Sequence, residues 1–184
     1  MAISVMFPCR SDEKVLVNRY EIAGYEGSKI PVYVLEPREK QEELRSCLVF
    51  FHGGGFIFKA SGTHYRIAKE YALRLSCKVV YVDYRLAPKY SFPVPVEDCY
   101  ATYQWVLEQA KNLAIDPNCI FMGGDSAGGN LAIAVTLLAK QRGLPVPRAE
   151  LLIYPMTDRR METESMKKYT DTPMWNARLN AKMW

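Results

Sequence analysis

Apolar residues fall in short unbroken blocks, separated by longer stretches with helical spacing. Residues 47–51, 78–83, 119–122 and 149–154 are runs too short for helices, with unbroken apolar blocks at 47–51, 79–82, 119–122 and 151–154. Runs of this kind predict strands buried on both faces. Residues 64–76 place Ile67, Tyr71 and Leu75 four apart. Residues 96–112 gather Tyr100, Tyr103, Val106 and Leu107, and residues 126–141 gather Leu131, Val135 and Leu138. Each of these three segments predicts a helix with one inward face. Ahead of them, residues 15–23 and 30–35 flank the turn-forming segment 24–28 and predict an antiparallel hairpin. Residues 37–45 read as a charged loop, Asp116-Pro117 as a turn, and 83–95, with Pro88, Pro93 and Pro95, as irregular. Buried strands alternating with helices predict an α/β fold: a mostly parallel, doubly wound sheet with an antiparallel start.

Beyond Pro155 the pattern changes. Residues 161–184 are rich in Met, Lys and Thr, with Trp175 and Trp184, and Leu179 and Met183 stand at helical spacing. The division expected is a core over 1–158 and a second segment beginning at 159. The sequence stops inside that second pattern, so the sheet is expected to be incomplete at its C-terminal side.

Composition narrows the class. With 49% apolar and 24% charged residues in 184, the chain has the balance of one globular domain with a real core. The net charge of +4 is scattered, and the pairs Arg159-Arg160 and Lys167-Lys168 read as solvated surface, so no nucleic-acid partner is expected. Five cysteines, an odd number without Cys-x-x-Cys, read as buried free thiols in a reducing compartment. The first eight residues lack the basic start of a signal peptide, and no stretch reaches membrane-spanning length. A cytoplasmic protein without a membrane partner is the expectation. The two histidines have no cysteine at ligand spacing, and no motif suits a nucleotide, so neither metal nor cofactor is expected.

The chemistry sits in two glycine motifs. Gly124-Asp125-Ser126-Ala127-Gly128-Gly129 lies between an apolar run and a helical stretch. Gly-x-Ser-x-Gly in a strand–turn–helix setting is a nucleophile elbow, whose tight turn lifts the serine hydroxyl above the sheet edge. His52-Gly53-Gly54-Gly55-Phe56 follows another predicted strand, and its glycines leave backbone amides free to face an oxyanion. In parallel sheets ligands gather at the carboxyl ends of strands, where both motifs fall. A serine needs a base, which in this order of motifs follows the nucleophile and an acid. Both histidines, His52 and His64, precede Ser126. His52 reads better as a ring that bonds and shapes the loop backbone, and His64 as a packing or capping residue at a helix start. Asp125, beside the serine, points away from it into structural hydrogen bonding. Arg85, Asp83, Glu97 and Asp98 suggest buried salt links that hold the segment 83–98.

Four motifs in order resemble the hormone-sensitive-lipase-like esterases of the α/β-hydrolase superfamily. They are the His52 to Phe56 segment; Asp83-Tyr84-Arg85-Leu86-Ala87-Pro88; Phe92-Pro93 with Glu97-Asp98; and Gly124 to Gly129 continued by Asn130-Leu131-Ala132. The likeness is close over 46–158. Two positions depart from it: Lys59, where the family usually has glycine, and Lys89, where it usually has an acidic residue. The resemblance implies an α/β-hydrolase fold and hydrolysis of carboxylic esters through a serine acyl-enzyme, on short-chain or aryl esters. It implies Ser126 as nucleophile, and Gly54, Gly55 and Ala127 as oxyanion-hole amides. Phe56, Phe58, Tyr84 and Trp175 are candidate pocket walls, and residues 159–184 would begin the cap over the pocket. The family's acid and histidine lie on later loops, beyond residue 184. Some hydrolases of the superfamily carry the acid nearer Asp158, though here a turn or cap role suits that residue better. On this reading residues 1–184 alone would be nearly inactive, with an open sheet edge prone to aggregation, to homodimer formation or to pairing with a C-terminal segment. The alternatives are a small-ligand binding module like the plant gibberellin receptors, which share the scaffold without the catalytic histidine, and an amidase or formamidase.

Overall fold

The computed structural model describes residues 9–39 and 44–184. The N-terminal octet read above for a signal and the centre of the charged loop at 37–45 lie outside the described residues. The hairpin forms as expected: β1 (Val15–Ala23) runs antiparallel to β2 (Lys29–Pro37), with Val15 opposite Pro37 and Ala23 opposite Lys29. Then follow β3 (Arg45–Phe51), α1 (Gly62–Arg74), β4 (Lys78–Val82), α2 (Val94–Gln109), β5 (Ile115–Asp125), α3 (Ala127–Gln141) and β6 (Glu150–Ile153). Two short helices, α4 (Glu164–Lys168) and α5 (Ala177–Met183), close the chain. The strands make one sheet in the order β1-β2-β4-β3-β5-β6, antiparallel at β1/β2 and β2/β4 and parallel thereafter.

Alternation along the central strands sends side chains to both layers. Cys47, Val49, Phe51, Val80 and Val82 pack toward α2 and α3, where they meet Cys99, Tyr103, Val106, Leu131 and Val135. Leu48, Phe50, Val79 and Tyr81 pack toward α1 on Ala68 and Ala72. Two-sided burial is why these runs carry no polar alternation. From β3 the chain crosses to β4 on one side, then over α2 to β5 on the other. The strand order therefore reverses between β3 and β5, the place where a doubly wound sheet opens a binding crevice.

Several expectations need correction. Of the three residues expected on the inner face of α1, Tyr71 packs inward on Phe50 beside Ala68 and Ala72, whereas Ile67 and Leu75 are exposed, because a helix seated tightly on strands buries its small residues most fully. Asp116-Pro117 is not a separate turn but part of β5, where the register against β3 shifts. β6 is an edge strand instead of a buried one, with Leu151 and Leu152 exposed, since it has a neighbour on one side only among the described residues. Four cysteines are buried, whereas Cys119 is half-exposed, just before β5 resumes its register with β3. No helix among the described residues is long and apolar enough to cross a membrane.

The segment between β4 and α2 is held by one ion pair. Asp98 is fully buried and receives Arg85 Nε and Nη2 at 2.8 Å each, the Arg85 amide at 3.2 Å and the Tyr25 amide at 3.0 Å. Arg85 also donates to Ser28 Oγ and the Tyr25 carbonyl, both at 2.8 Å, which ties in the hairpin turn. Glu97 turns away and pairs with Arg142 beyond α3, and Asp83 enters no ion pair among the described residues. Removing one partner of a buried pair leaves a charge uncompensated. Asp98→Ala is therefore expected to destabilise the fold by about 3–5 kcal/mol, read as a drop in urea midpoint at unchanged slope.

Candidate active site

β3 and β5 lie side by side with Phe51 opposite Gly124, so the two glycine motifs leave the sheet together. α3 starts at once after β5, and its first turn is pressed onto the end of β3. A β-carbon on Gly128 would overlap the Phe51 carbonyl, and one on Gly124 would overlap the Gly128 backbone. Only a residue without a side chain fits at either point. Between them Ser126 is forced to φ 51° and ψ −115°, a region that a serine rarely adopts. Its backbone is fixed from both sides: Ser126 N–H donates to Ile153 C=O at 2.9 Å, and Ser126 C=O accepts from Met156 N–H at 3.2 Å. Asn130 Nδ2 donates to the Met156 carbonyl at 2.7 Å, so the loop after β6 braces the turn.

The loop after β3 has the conformation its glycines allow. Gly54 has φ 121° and Gly55 φ 59°. Gly54 C=O accepts from the amides of Ile57 (3.1 Å) and Phe58 (2.9 Å), while the Gly54 and Gly55 amides donate to nothing among the described residues. Asp125 Oδ1 takes the Gly53 amide at 2.9 Å, which links this loop to the Ser126 turn.

His52 lies beneath the loop, fully buried. Its ring stacks on Tyr84 with centroids 4.4 Å apart, and Nδ1 donates to the Gly53 carbonyl at 2.6 Å. Burial pushes its pKa down to about 4, against the smaller opposite effect of the Gly53 bond. His64 stands in the first turn of α1, where it forms a capping box with Ser61. Neither histidine hydrogen-bonds Ser126. Tyr84 corrects an expectation: it is buried, its hydroxyl donates to the His52 carbonyl at 2.7 Å, and it supports the loop from below instead of walling a pocket. Phe58 is exposed at the surface. Asp158 is an exposed residue paired with Arg160.

Phe56 does reach a cleft. It lines a space of about 660 Å³ with Pro88, Phe92, Leu131, Arg159 and Trp184, between the glycine loop, α3 and α5. Trp175 rests its ring on Gly55 so closely that a β-carbon there would strike it, and its Nε1 donates to Asn180 Oδ1 at 3.2 Å. Sequence reasoning missed Phe92, Leu131 and Asn130 as neighbours of the site. The run of prolines beside Phe92 and the helical offset of Asn130 from Ser126 are the signals that point to them.

Two outcomes follow. A histidine neutral when folded and protonated when unfolded contributes stability that is full above about pH 6.5 and lost as pH falls toward 4, about 3 kcal/mol in all. Unfolding in urea between pH 7 and pH 4 is expected to show this extra loss in the wild type and not in His52→Gln. Replacing Ser126 by glycine relieves strain of about 1–3 kcal/mol against an entropic cost of roughly 0.5–1. Ser126→Gly is thus expected to melt above Ser126→Ala in calorimetry.

Comparison with known proteins agrees with this fold. Residues 48–184 match the family model described as alpha/beta hydrolase fold. The ethyl acetate hydrolase of Pseudomonas putida is 32% identical over 168 residues, covering 90% of this chain and 53% of that protein. Human hormone-sensitive lipase is 39% identical over 124 residues, 67% of this chain and 12% of that protein. Among solved structures, a bacterial heroin esterase superimposes with a TM-score of 0.88 at 34% identity, covering 94% of this chain and 54% of its own. The chain thus spans about half the length of the first of these relatives and of that structure. With its family model, its relatives and its sheet in agreement, the chain belongs to the α/β-hydrolase family, among the hormone-sensitive-lipase-like esterases.

Proposed function

We propose that this chain is the nucleophile-bearing part of a carboxylic-ester hydrolase that works through a serine acyl-enzyme. The observation that carries the reading is the strained Ser126 turn facing a glycine loop from the adjacent strand, whose Gly54 and Gly55 amides are unused. Ser126 Oγ attacks the ester carbonyl carbon, and the carbonyl oxygen takes up the electron pair. The amides of Gly54, Gly55 and Ala127 hold that oxyanion, with the start of α3 adding its dipole. The carbon–alkoxide bond then breaks, the alcohol leaves with a proton, and water releases the acid from the acyl-serine.

The general base and its acid come from sequence outside residues 1–184. Support for this lies in the two histidines present: His52 is buried beneath the loop, and His64 is engaged with Ser61 and faces Asp125. The cleft beside Phe56, with Phe92, Leu131 and Trp184 around it, suits short acyl or aryl groups. Residues 159–184 act as the beginning of a cap, in keeping with Trp175 on Gly55 and Trp184 at the cleft.

The test is covalent. A fluorophosphonate added to the protein expressed from its full reading frame is expected to label Ser126 with one adduct per chain, mapped by peptide mass. Ser126→Ala is expected to lose labelling and p-nitrophenyl butyrate hydrolysis together. An adduct on another residue, or an active Ser126→Ala protein, refutes the assignment.

A further inference from the structure

β5 ends at Asp125, and Ser126 follows it as the residue before α3. Ser126 rises into the turn, and Asp125 reaches back under the loop that follows β3. Its Oδ1 accepts the Gly53 amide at 2.9 Å, and its Oδ2 faces His64 Nε2 at 3.6 Å. The His64 ring is itself fixed. Its Nδ1 accepts the Ser61 amide at 3.0 Å and lies 2.8 Å from Ser61 Oγ. A backbone amide can only donate, so Nδ1 keeps its lone pair and the neutral ring carries its proton on Nε2, toward Asp125. Three elements therefore meet on one carboxylate: the end of β5, the glycine loop after β3 and the first turn of α1.

The charge is out of place for any task but holding. A carboxylate one residue from the nucleophile repels a developing oxyanion. Burial works to raise the Asp125 pKa, but His64 and the Gly53 amide outweigh it and hold the carboxyl below its ordinary range, so it stays ionised at neutral pH. The Gly53 backbone passes so close to Oδ2 that a β-carbon on residue 53 would collide with it. Gly53 thus serves the carboxylate, while Gly54 and Gly55 keep their amides free.

We propose that Asp125 is a positioning residue for ester hydrolysis: it bolts the Gly53-Gly54-Gly55 loop to the Ser126 turn, and His64 fixes the direction of its carboxylate. The proposal rests on Ser126 being the nucleophile. Asp125 touches neither substrate nor the reacting atoms. It sets the distance between two groups that do, and an error of about 1 Å in such a distance costs on the order of 100-fold in rate.

The experiment compares Asp125→Ala, Asp125→Asn and Ser126→Ala in the protein expressed from its full reading frame, with p-nitrophenyl butyrate as substrate. Asp125→Ala is expected to lower kcat about 100-fold with KM within about threefold, the signature of an interaction needed only in the transition state. Its affinity for a trifluoromethyl ketone, which mimics the tetrahedral state, should fall by a similar factor. Asp125→Asn keeps an amide oxygen for the Gly53 N–H and should stay within about fivefold of wild type. Wild-type kcat in Asp125→Ala overturns the proposal, as does an equal loss in Asp125→Ala and Asp125→Asn. If Asp125→Ala does not fold, His64→Ala carries the test. A fall in kcat of about tenfold at constant KM supports the proposal, and wild-type kinetics overturns it. An active Ser126→Ala protein refutes the nucleophile assignment, and the proposal falls with it. An inert Ser126→Ala beside a fully active Asp125→Ala removes the positioning role alone.

Discussion

One backbone contact governs the rest of the structure: the first turn of α3 lies against the carbonyl of Phe51 at the end of β3. Gly128 makes the approach possible, and Gly124 accepts the returning helix. Because α3 must begin there, the chain has no length in which to relax between β5 and the helix, and Ser126 takes the strain. Closeness at that point also fixes which loops share the crevice. The segment after β3 and the turn after β5 are brought within one hydrogen bond of each other, Gly53 to Asp125. Packing so tight spreads a shift at one end to the other, because there is no void to absorb it.

Polar groups around this contact are arranged in pairs across elements. Asp98 receives a guanidinium and two amides from segments far apart in sequence. His52 is buried uncharged, wedged between the loop it bonds and the tyrosines below. Asp98 would be costly alone in an apolar interior and is completed by donors from other elements, whereas His52 bonds only the carbonyl of the next residue and leaves Nε2 without a hydrogen-bond partner among the described residues. The loops above the sheet are therefore ordered by burial and hydrogen bonding together.

Much of this was legible in the sequence, and the reasons differ by region. The central strands were readable because two-sided burial removes polar residues from them, and the elbow because glycines at 124 and 128 answer a steric demand of the backbone itself. Asp125 could be placed in a structural role because a strand sends neighbours to opposite faces. Its partners could not be named, since Gly53 and His64 lie far away in sequence and nothing in their spacing betrays the meeting. The inner face of α1 was read correctly at Tyr71 but not at Ile67 and Leu75, because large apolar residues were counted, while the closest contact with the sheet selects alanine. β6 was misread because an apolar run does not reveal how many neighbours a strand has. Pro117 misled for a local reason: it sits where β5 and β3 lose register, so its missing amide breaks no ladder bond.

The bonds that hold the Ser126 turn are made largely by main chain, the Ile153 carbonyl and the Met156 and Gly53 amides, with Asp125 and Asn130 as the side chains involved and the Phe51 carbonyl in close contact beneath. Of the side chains that line the cleft, Asn130 takes part in these bonds, whereas Phe56, Phe92, Arg159 and Trp184 do not. On the proposed function, recognition and chemistry are thus written in largely separate parts of the sequence, with Asn130 common to both. A lineage could exchange the cleft walls repeatedly, trading one ligand shape for another, while the turn below kept its geometry. A combinatorial library restricted to those walls would sample recognition with the chemistry held constant.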